Sequence, residues 1–276
     1  MSVIKVNNIT SRDGTTGPVI AGIATVSTTS HLVVPTGNTG QKVALAPDPY
    51  INNLVLALPF NSESVFTDVS PKNRGDCGIA GITTTASLPF GVTGFTTTSV
   101  GIVTFSKYYG SSLYISNAEA QQLRFFGASD FVMQRDFTIE MWYNPFTSSS
   151  GDGSLFVSSD GSTYFAFNLS KSGNVFNIYL TSGSVTWSLS ASSVTVGSWN
   201  HLVLQRKNGD TVEIFVNGVG IGSTTYSGTL GYNTPTILRF GGGATGAVNG
   251  YLQDYRIYRD VAKYNSNFTP PNQIAL

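Results

Sequence analysis

The stretch WNHLVLQRKNGDTVEIFVNG, residues 199–218, has the alternating pattern of a β-hairpin. Its first strand divides its side chains between two faces, with His201, Val203 and Gln205 on one and Leu202, Leu204 and Arg206 on the other. Residues 208–210, Asn-Gly-Asp, form the turn, because Asn and Gly tolerate the positive φ that a tight hairpin requires. A second strand over residues 211–216 leads to another Asn-Gly turn at residues 217–218. A lone hairpin is barely stable in water, so these residues predict a larger antiparallel sheet.

Short strand patterns separated by turn residues recur from residue 50 onward. They cover residues 54–60, 113–115, 137–143, 154–158, 164–167, 176–180, 237–240 and 251–258. Helical periodicity is nearly absent, apart from one short pattern at residues 117–123. Many short strands at regular intervals are typical of an antiparallel β-sandwich or jelly roll. We therefore predict an all-β fold in which residues 50–276 form one domain.

The first 49 residues differ from the rest of the chain. Short β patterns at residues 3–6, 19–26 and 31–34 are followed by linkers rich in Pro and Gly. Strands this short cannot bury a core of their own, so they need to pair with another sheet, in this chain or on a partner. We predict that residues 1–49 are a docking arm and linker with a short β structure.

The composition argues against several functional classes. Charged residues make up only 11% of the chain, and 15 basic residues balance 15 acidic ones without a basic cluster, so nucleic acid is not an expected partner. The single cysteine, Cys77, cannot form an internal disulfide or a Cys-based zinc site. Residues 1–8 contain no apolar signal core, and no run approaches a membrane span, so we expect a product made in a cytoplasm without a membrane partner.

Four blocks in sequence order resemble the laminin-G-like, concanavalin A-like jelly-roll family. They are residues 54–60 with the Asp-Val-Ser of residues 68–70, residues 136–142 (DFTIEMW), residues 199–218, and residues 250–258 (GYLQDYRIY). Together they span roughly residues 51–271. This resemblance implies an antiparallel β-sandwich jelly roll, a fold that more often binds than catalyses.

Two flanking segments resemble structural proteins of tailed phages, in particular those that infect marine cyanobacteria. They are residues 7–14 (NNITSRDG) and residues 261–271 (VAKYNSNFTPP). The resemblance implies a non-enzymatic virion protein, made in the host cytoplasm, that serves as a capsid decoration, fibre or tail appendage. Residues 1–49 would dock on other virion proteins, and the jelly roll would decorate the particle or adhere to a host-surface glycan. A homo-oligomer, with a trimer as one form, is expected because phage fibres and spikes are commonly trimers.

A glycoside hydrolase is the least favoured alternative. Retaining members of such enzymes place two carboxyl groups about 5–5.5 Å apart on one face of a sheet. Glu140 is the one acidic residue in residues 137–143, and Glu213 is the one acidic residue in residues 211–216. Neither therefore has a second carboxylate two residues away on its own strand. We therefore predict no catalytic residues, although carboxylates could still meet across strands. His201 is expected to pack inside the sandwich, and His31 has no candidate partner nearby.

Calcium is the one cofactor that the resemblance implies, because laminin-G-like modules often hold one calcium at a sheet rim. Asp68 and Asp254, with Asn249 nearby, are then the candidate ligands, since calcium prefers carboxylate and amide oxygens. The alternative is that Asp68 caps a turn and Asp254 pairs with an arginine such as Arg256 or Arg239.

Glycan contacts would come from aromatic rings that stack on pyranose faces. The candidates near loops or strand ends are Trp187, Tyr164, Tyr226 and Tyr232. Trp142 and Trp199 lie in core-like strands and are predicted to be buried. A stand-alone carbohydrate-binding lectin or adhesin is therefore the main alternative to a virion protein. It predicts saturable glycan binding by the isolated domain and a dispensable arm.

Overall fold

The computed structural model describes residues 48–60, 67–72, 75–76, 90–93, 100–115, 122–125, 132–146, 151–159, 164–172, 175–182, 185–191, 194–227, 236–238 and 250–271. All of these residues belong to one compact unit, Pro47–Leu276. The predicted docking arm lies outside the described residues except for its last two, so its boundaries and its β structure stay predictions. No helix in the described part of the chain is long and apolar enough to cross a membrane.

The described residues form strands joined by turns, with one 3₁₀ turn at Ile51–Asn53. In chain order the strands are β1 (Leu54–Leu58), β2 (Thr67–Asp68), β3 (Gly75–Asp76), β4 (Phe90–Thr93), β5 (Val100–Val103), β6 (Ser112–Ile115), β7 (Gln122–Phe125), β8 (Phe137–Pro145), β9 (Gly151–Ser159), β10 (Tyr164–Ser172), β11 (Val175–Ser182), β12 (Val185–Ala191), β13 (Asn200–Lys207), β14 (Thr211–Val216), β15 (Val219–Thr225), β16 (Thr236–Leu238) and β17 (Gly250–Arg259). The all-β prediction is confirmed.

Two antiparallel sheets form the β-sandwich jelly roll. The eight-stranded sheet has the order β15-β14-β13-β8-β17-β6-β5, with β1 also paired to β17, and the seven-stranded sheet has the order β12-β11-β10-β9-β16-β7-β4. The Tyr255 hydroxyl of β17 donates a buried hydrogen bond of 3.1 Å to the Leu155 carbonyl of β9, which joins the two sheets. The short helix predicted at residues 117–123 is wrong at its last two residues, because Leu123 pairs with Leu238 and Val92 inside the seven-stranded sheet.

The hairpin of residues 199–218 forms as its sequence predicts. β13 and β14 pair in register, with Leu204 opposite Ile214. Asn208 and Gly209 have φ values of 56° and 82°, and the next turn repeats this geometry, with φ values of 51° and 80° at residues 217 and 218. Positive φ at both central residues is the conformation that matches the twist of two hairpin strands.

β8 is buried on both of its faces, which requires a cover on each side of the eight-stranded sheet. The face toward the seven-stranded sheet is apolar and carries fully buried side chains, namely Phe137, Ile139, Met141, Tyr143, Leu202, Leu204, Leu252 and Ile257. Each such side chain contributes about 1.5–3 kcal/mol by leaving water. The opposite face, which we call the outer face, carries Thr138, Glu140 and Trp142 from β8, all buried as well.

The C-terminal segment of residues 261–271, which we call the strap, covers the middle of the outer face. The Thr138 hydroxyl donates to the Val261 carbonyl at 3.0 Å and accepts from the backbone N of residue 263 at 3.1 Å. Gln205 Oε1 accepts from the backbone N of residue 264 at 3.1 Å. Further along, the Phe268 backbone N donates to the Gly218 carbonyl at 2.9 Å. The strap therefore crosses β8 and β13 and contacts the turn between β14 and β15, and its last residue, Pro271, accepts a hydrogen bond of 3.0 Å from the Tyr108 hydroxyl.

Candidate functional site

Glu140 is the centre of a buried ion network beneath the strap. Its Oε1 lies 2.6 Å from Lys263 Nζ, and its Oε2 accepts a hydrogen bond of 2.6 Å from the Tyr264 hydroxyl. Lys263 Nζ also lies 3.7 Å from Asp48 Oδ2. His201 Nε2 lies 3.7 Å from Glu140 Oε2, because β13 is the neighbour of β8. His201 is therefore buried beneath the strap, and the prediction that it packs between the sheets is wrong.

The network fixes the charges of its members. Burial raises the pKa of the Glu140 carboxyl, but the charges of Lys263 and His201 and the hydrogen bonds from Lys263 and Tyr264 outweigh it and bring that pKa to about 2. Burial lowers the pKa of His201 to about 4, although the neighbouring Glu140 charge opposes that change. At neutral pH, therefore, Glu140 is an ion-paired carboxylate and His201 is a neutral imidazole.

The two carboxylates considered for glycoside hydrolysis do not form a retaining pair. Glu213 Oε1 lies 2.5 Å from Lys207 Nζ, and Glu213 Oε2 accepts a hydrogen bond of 2.9 Å from Gln205 Nε2. β13 lies between β8 and β14, so Glu140 and Glu213 are two strand spacings apart, about 10 Å. That separation is about twice the distance that a retaining glycosidase uses. Both carboxylates also have partners within this chain already.

The outer face carries a contiguous aromatic patch at the end where β8 finishes and where β13 and β17 begin. We call it the aromatic surface, and its members are Phe105, Tyr114, Phe146, Trp199 and Tyr251. Tyr251 is at its centre, with its ring centroid 4.6 Å from Phe105, 4.8 Å from Phe146, 5.9 Å from Tyr114 and 6.4 Å from Trp199. The patch exists because Tyr251 pairs with Tyr114 on the adjacent strand, which places their rings side by side.

The aromatic surface is accessible at Phe105, and hydrogen bonds hold the loop that carries this ring. Phe105 is 45% exposed and stacks on Trp199 at 5.8 Å with 11° between the ring planes. The loop that carries Phe105 is hydrogen-bonded to β17. Gln253 Oε1 accepts hydrogen bonds from the backbone N of Lys107 at 3.0 Å and from the backbone N of Tyr108 at 2.9 Å. Aromatic rings present a negative face to which the polarised C–H groups of a sugar are attracted. The arrangement can therefore stack a saccharide ring without a prior rearrangement.

The aromatic surface differs from the contacts that the sequence predicts. Trp187 and Tyr164 lie in β12 and β10, where their side chains are outside the described structure, and Tyr232 is not among the described residues. Tyr226 is partly exposed, but its backbone N bonds to the Asp210 carbonyl near the β13–β14 turn, at the opposite end of the sheet.

The two tryptophans that the sequence places in the core have different environments. Trp142 is 5% exposed, as predicted. The prediction that Trp199 is buried is wrong, because it immediately precedes β13 at the end of the sheet and packs on the exposed Phe105 instead of between the sheets.

The predicted calcium ligands have other partners in this chain. Asp68 Oδ1 accepts hydrogen bonds from the backbone N of Ala57 at 3.1 Å and of Ser70 at 3.0 Å, so it caps a turn. Asp254 Oδ1 lies 2.7 Å from Arg256 Nη2. Among the described residues, no group of three or more His, Cys, Asp or Glu could hold a metal ion. Asn249 lies outside them, so calcium binding gains no support from the geometry and stays a prediction.

Three solved structures of similar fold come from an arabinanase and from two toxins. Domain 4 of AbnA, a GH43 extracellular arabinanase from Geobacillus stearothermophilus, in complex with arabinotriose, has a TM-score of 0.53 and 16% identity, covering 75% of this chain and 92% of that chain. The binding domain of Paraclostridial Mosquitocidal Protein 1 has a TM-score of 0.54 and 16% identity, covering 77% and 50%. A structure of botulinum neurotoxin type C, whose cell entry depends on interaction with two ganglioside molecules, has a TM-score of 0.51 and 14% identity, covering 77% and 49%.

These similarities define the fold and the family. This chain spans about half the length of the two toxin structures, and at such low identities the likeness shows the fold alone. No curated protein matches the sequence significantly. The laminin-G-like sequence model of the concanavalin A-like lectin/glucanases superfamily matches residues 108–263, which is more than half of the chain. The chain therefore belongs to the concanavalin A-like lectin/glucanases superfamily.

Proposed function

We propose that this chain is a non-enzymatic, lectin-like module that binds carbohydrate through its aromatic surface. The observation that carries the proposal is the packed patch of five rings around Tyr251, accessible at Phe105 and set on strand ends and a hydrogen-bonded loop. Ligand sites are commonly lined by aromatic side chains with a few polar groups that fix orientation. A preformed patch of this kind binds without a large ordering cost.

The similar structures support a saccharide as the ligand. Domain 4 of AbnA is in complex with arabinotriose, and botulinum neurotoxin type C interacts with two ganglioside molecules. The saccharides named for those two proteins, together with the accessible rings, support carbohydrate as the ligand. The engagement of Glu140 by Lys263 and Tyr264 supports binding without hydrolysis.

The test is a glycan array with the full chain, followed by calorimetry on the saccharides that bind. Tyr251→Ala removes the ring that contacts the other four, so we expect at least a tenfold weaker Kd, which corresponds to about 1.4 kcal/mol. Tyr226→Ala is the matched control, because it removes a partly exposed tyrosine at the other end of the sheet and should leave the Kd unchanged. Binding that is insensitive to Tyr251→Ala, or an array without any bound glycan, would refute the proposal.

We further propose that the module is displayed on a tailed-phage virion, with residues 1–49 as the docking device. The support is the resemblance of residues 7–14 and 261–271 to phage structural proteins. Residues 261–271 already serve as the strap of the domain. The proposal of a virion protein therefore depends mainly on residues 7–14. A chain that begins at Pro47, which keeps Asp48 beside Lys263 and Tyr258, should keep its glycan affinity but lose binding to purified virions that lack the protein. Equal virion binding by both chains would contradict the docking role.

A further inference from the structure

A cavity of about 990 Å³ lies where β8 begins and β17 ends, at the end of the eight-stranded sheet that is remote from the aromatic surface. Its walls are four residues before β8, the turn of Asn208 and Gly209, and two residues at the end of β17; the first group is Val132, Gln134, Arg135 and Asp136, and the last is Arg259 and Asp260. β8 has nine residues and separates the two ends of the sheet by about 27 Å. A single sugar ring cannot span that distance, so the cavity and the aromatic surface are separate places.

The backbone that forms the cavity is held in position. Gly209 N donates to Asp136 Oδ1 at 2.8 Å, and the backbone N of Asp260 donates to the Asp136 carbonyl at 2.8 Å. Arg206 is fully buried behind this wall, and it donates to the Met133 carbonyl at 2.9 Å and through Nε to the Arg135 carbonyl at 2.7 Å. These hydrogen bonds connect the segment before β8 to the β13–β14 hairpin and to the end of β17.

The side chains around the cavity combine donors with acceptors. Gln134, Arg135 and Asn208 are exposed. Arg259 Nε lies 3.2 Å from Asp260 Oδ2. Among the described residues that line the cavity, two arginines and two aspartates cancel in formal charge, so these residues give an anionic ligand little net attraction. A pair of adjacent sugar hydroxyls suits such a lining, since one hydroxyl donates to a carboxylate while its neighbour accepts from a guanidinium.

We propose that this cavity is a second saccharide site, which binds a neutral sugar through vicinal hydroxyls and not through stacking. The choice of a sugar as the ligand rests on the proposed function, whereas the location and the hydrogen-bonding mode rest on the cavity itself. The described residues of the lining include no aromatic side chain and only one apolar one, Val132, so the recognition proposed here comes from the polar groups. Two sites on one domain would strengthen binding to a polysaccharide through avidity.

The test is an NMR titration of the isotope-labelled full chain with methyl glycosides of neutral sugars. We expect saturable shifts of the backbone amides of Asn208 and Gly209. Arg135→Ala should weaken that response at least tenfold, and the variant should fold because the Arg135 side chain is exposed. Lys72→Ala removes an exposed cation elsewhere and should change nothing. Tyr251→Ala should leave the response at Asn208 and Gly209 intact.

The same spectra separate failure of this site from failure of the proposed function. Shifts at Tyr251 without shifts at Gly209 would refute the second site and support saccharide binding by the aromatic surface. Shifts at neither place, with any of the glycosides, would overturn both. Shifts at Gly209 alone would support the second site and refute binding by the aromatic surface. A response at Gly209 to sodium glucuronate but not to neutral glycosides would overturn the assignment of a neutral ligand.

Discussion

Replacing Lys263 by methionine removes the ammonium of the buried network while keeping a side chain of similar length. Lys263 and Glu140 are 8% and 1% exposed, with Nζ and Oε1 2.6 Å apart. Without the ammonium, the Glu140 carboxylate stays buried and loses its main counter-charge, and Asp48 loses a cation 3.7 Å away. Removing one partner of a buried ion pair typically costs about 3–5 kcal/mol. We therefore expect Lys263→Met to lower the free energy of unfolding at neutral pH by that amount.

The assay is urea-induced unfolding of the full chain and of three variants that complete a double-mutant cycle. Glu140→Gln neutralises the other partner and retains the shape of the side chain. The double variant should recover most of the stability lost in Lys263→Met, because it no longer buries an unpaired charge. A coupling energy of at least about 2 kcal/mol between the two positions is the expected result.

Lys207→Met is the matched control for this experiment. Lys207 Nζ lies 2.5 Å from Glu213 Oε1, but the two side chains are 25% and 17% exposed. Pairs of this kind near the surface contribute only about 0–1 kcal/mol. If Lys263→Met and Lys207→Met cost the same, or if Glu140→Gln fails to rescue Lys263→Met, the strap does not neutralise a buried charge and the reasoning is wrong.

Two further perturbations test the strap and the network. Gly218→Ala should lower the melting temperature in thermal unfolding well beyond Gly209→Ala. The two glycines have nearly the same φ, 80° and 82°, so backbone strain is similar in both variants. However, a Cβ at Gly218 would lie 1.9 Å from the Phe268 carbonyl oxygen, whereas a Cβ at Gly209 would meet nothing within 4 Å. Equal losses would mean that the strap does not rest on this turn. Stability should also fall in acid: the pKa of His201 is about 4 instead of 6.5, so the stabilisation present above pH 6.5 is lost as the pH falls through 4. The pKa of Glu140, about 2 instead of 4.5, adds a loss of roughly 3 kcal/mol between pH 4.5 and 2. His201→Gln should abolish the first loss and reduce the second, because the His201 charge helps to lower the pKa of Glu140, and unchanged pH dependence in that variant would contradict the assignment.

The sequence predicts the strands and turns because their signals are local. Alternation along residues 201–206 places Leu202 and Leu204 inside, and the Asn-Gly pairs at residues 208–209 and 217–218 encode turns of positive φ. These features depend on neighbours within a few residues, so they can be read before any tertiary contact is known.

The candidate site could not be predicted in the same way, because it depends on register and on distant contacts. Tyr251 and Tyr114 meet only because β17 and β6 pair in a particular register. Glu140 receives its counter-charge from Lys263, 123 residues later in the chain. The strap thus has a structural role within the domain that its sequence alone does not reveal.

A tryptophan fluorescence titration with a saccharide from the glycan array is the most direct test of the central claim. Trp199 is part of the aromatic surface, whereas Trp187 is the contact that the sequence suggests. The account predicts a saturable fluorescence change that persists in Trp187→Phe and disappears in Trp199→Phe, while calorimetry shows that both variants still bind. A change that disappears in Trp187→Phe and persists in Trp199→Phe would place the ligand elsewhere and contradict the account.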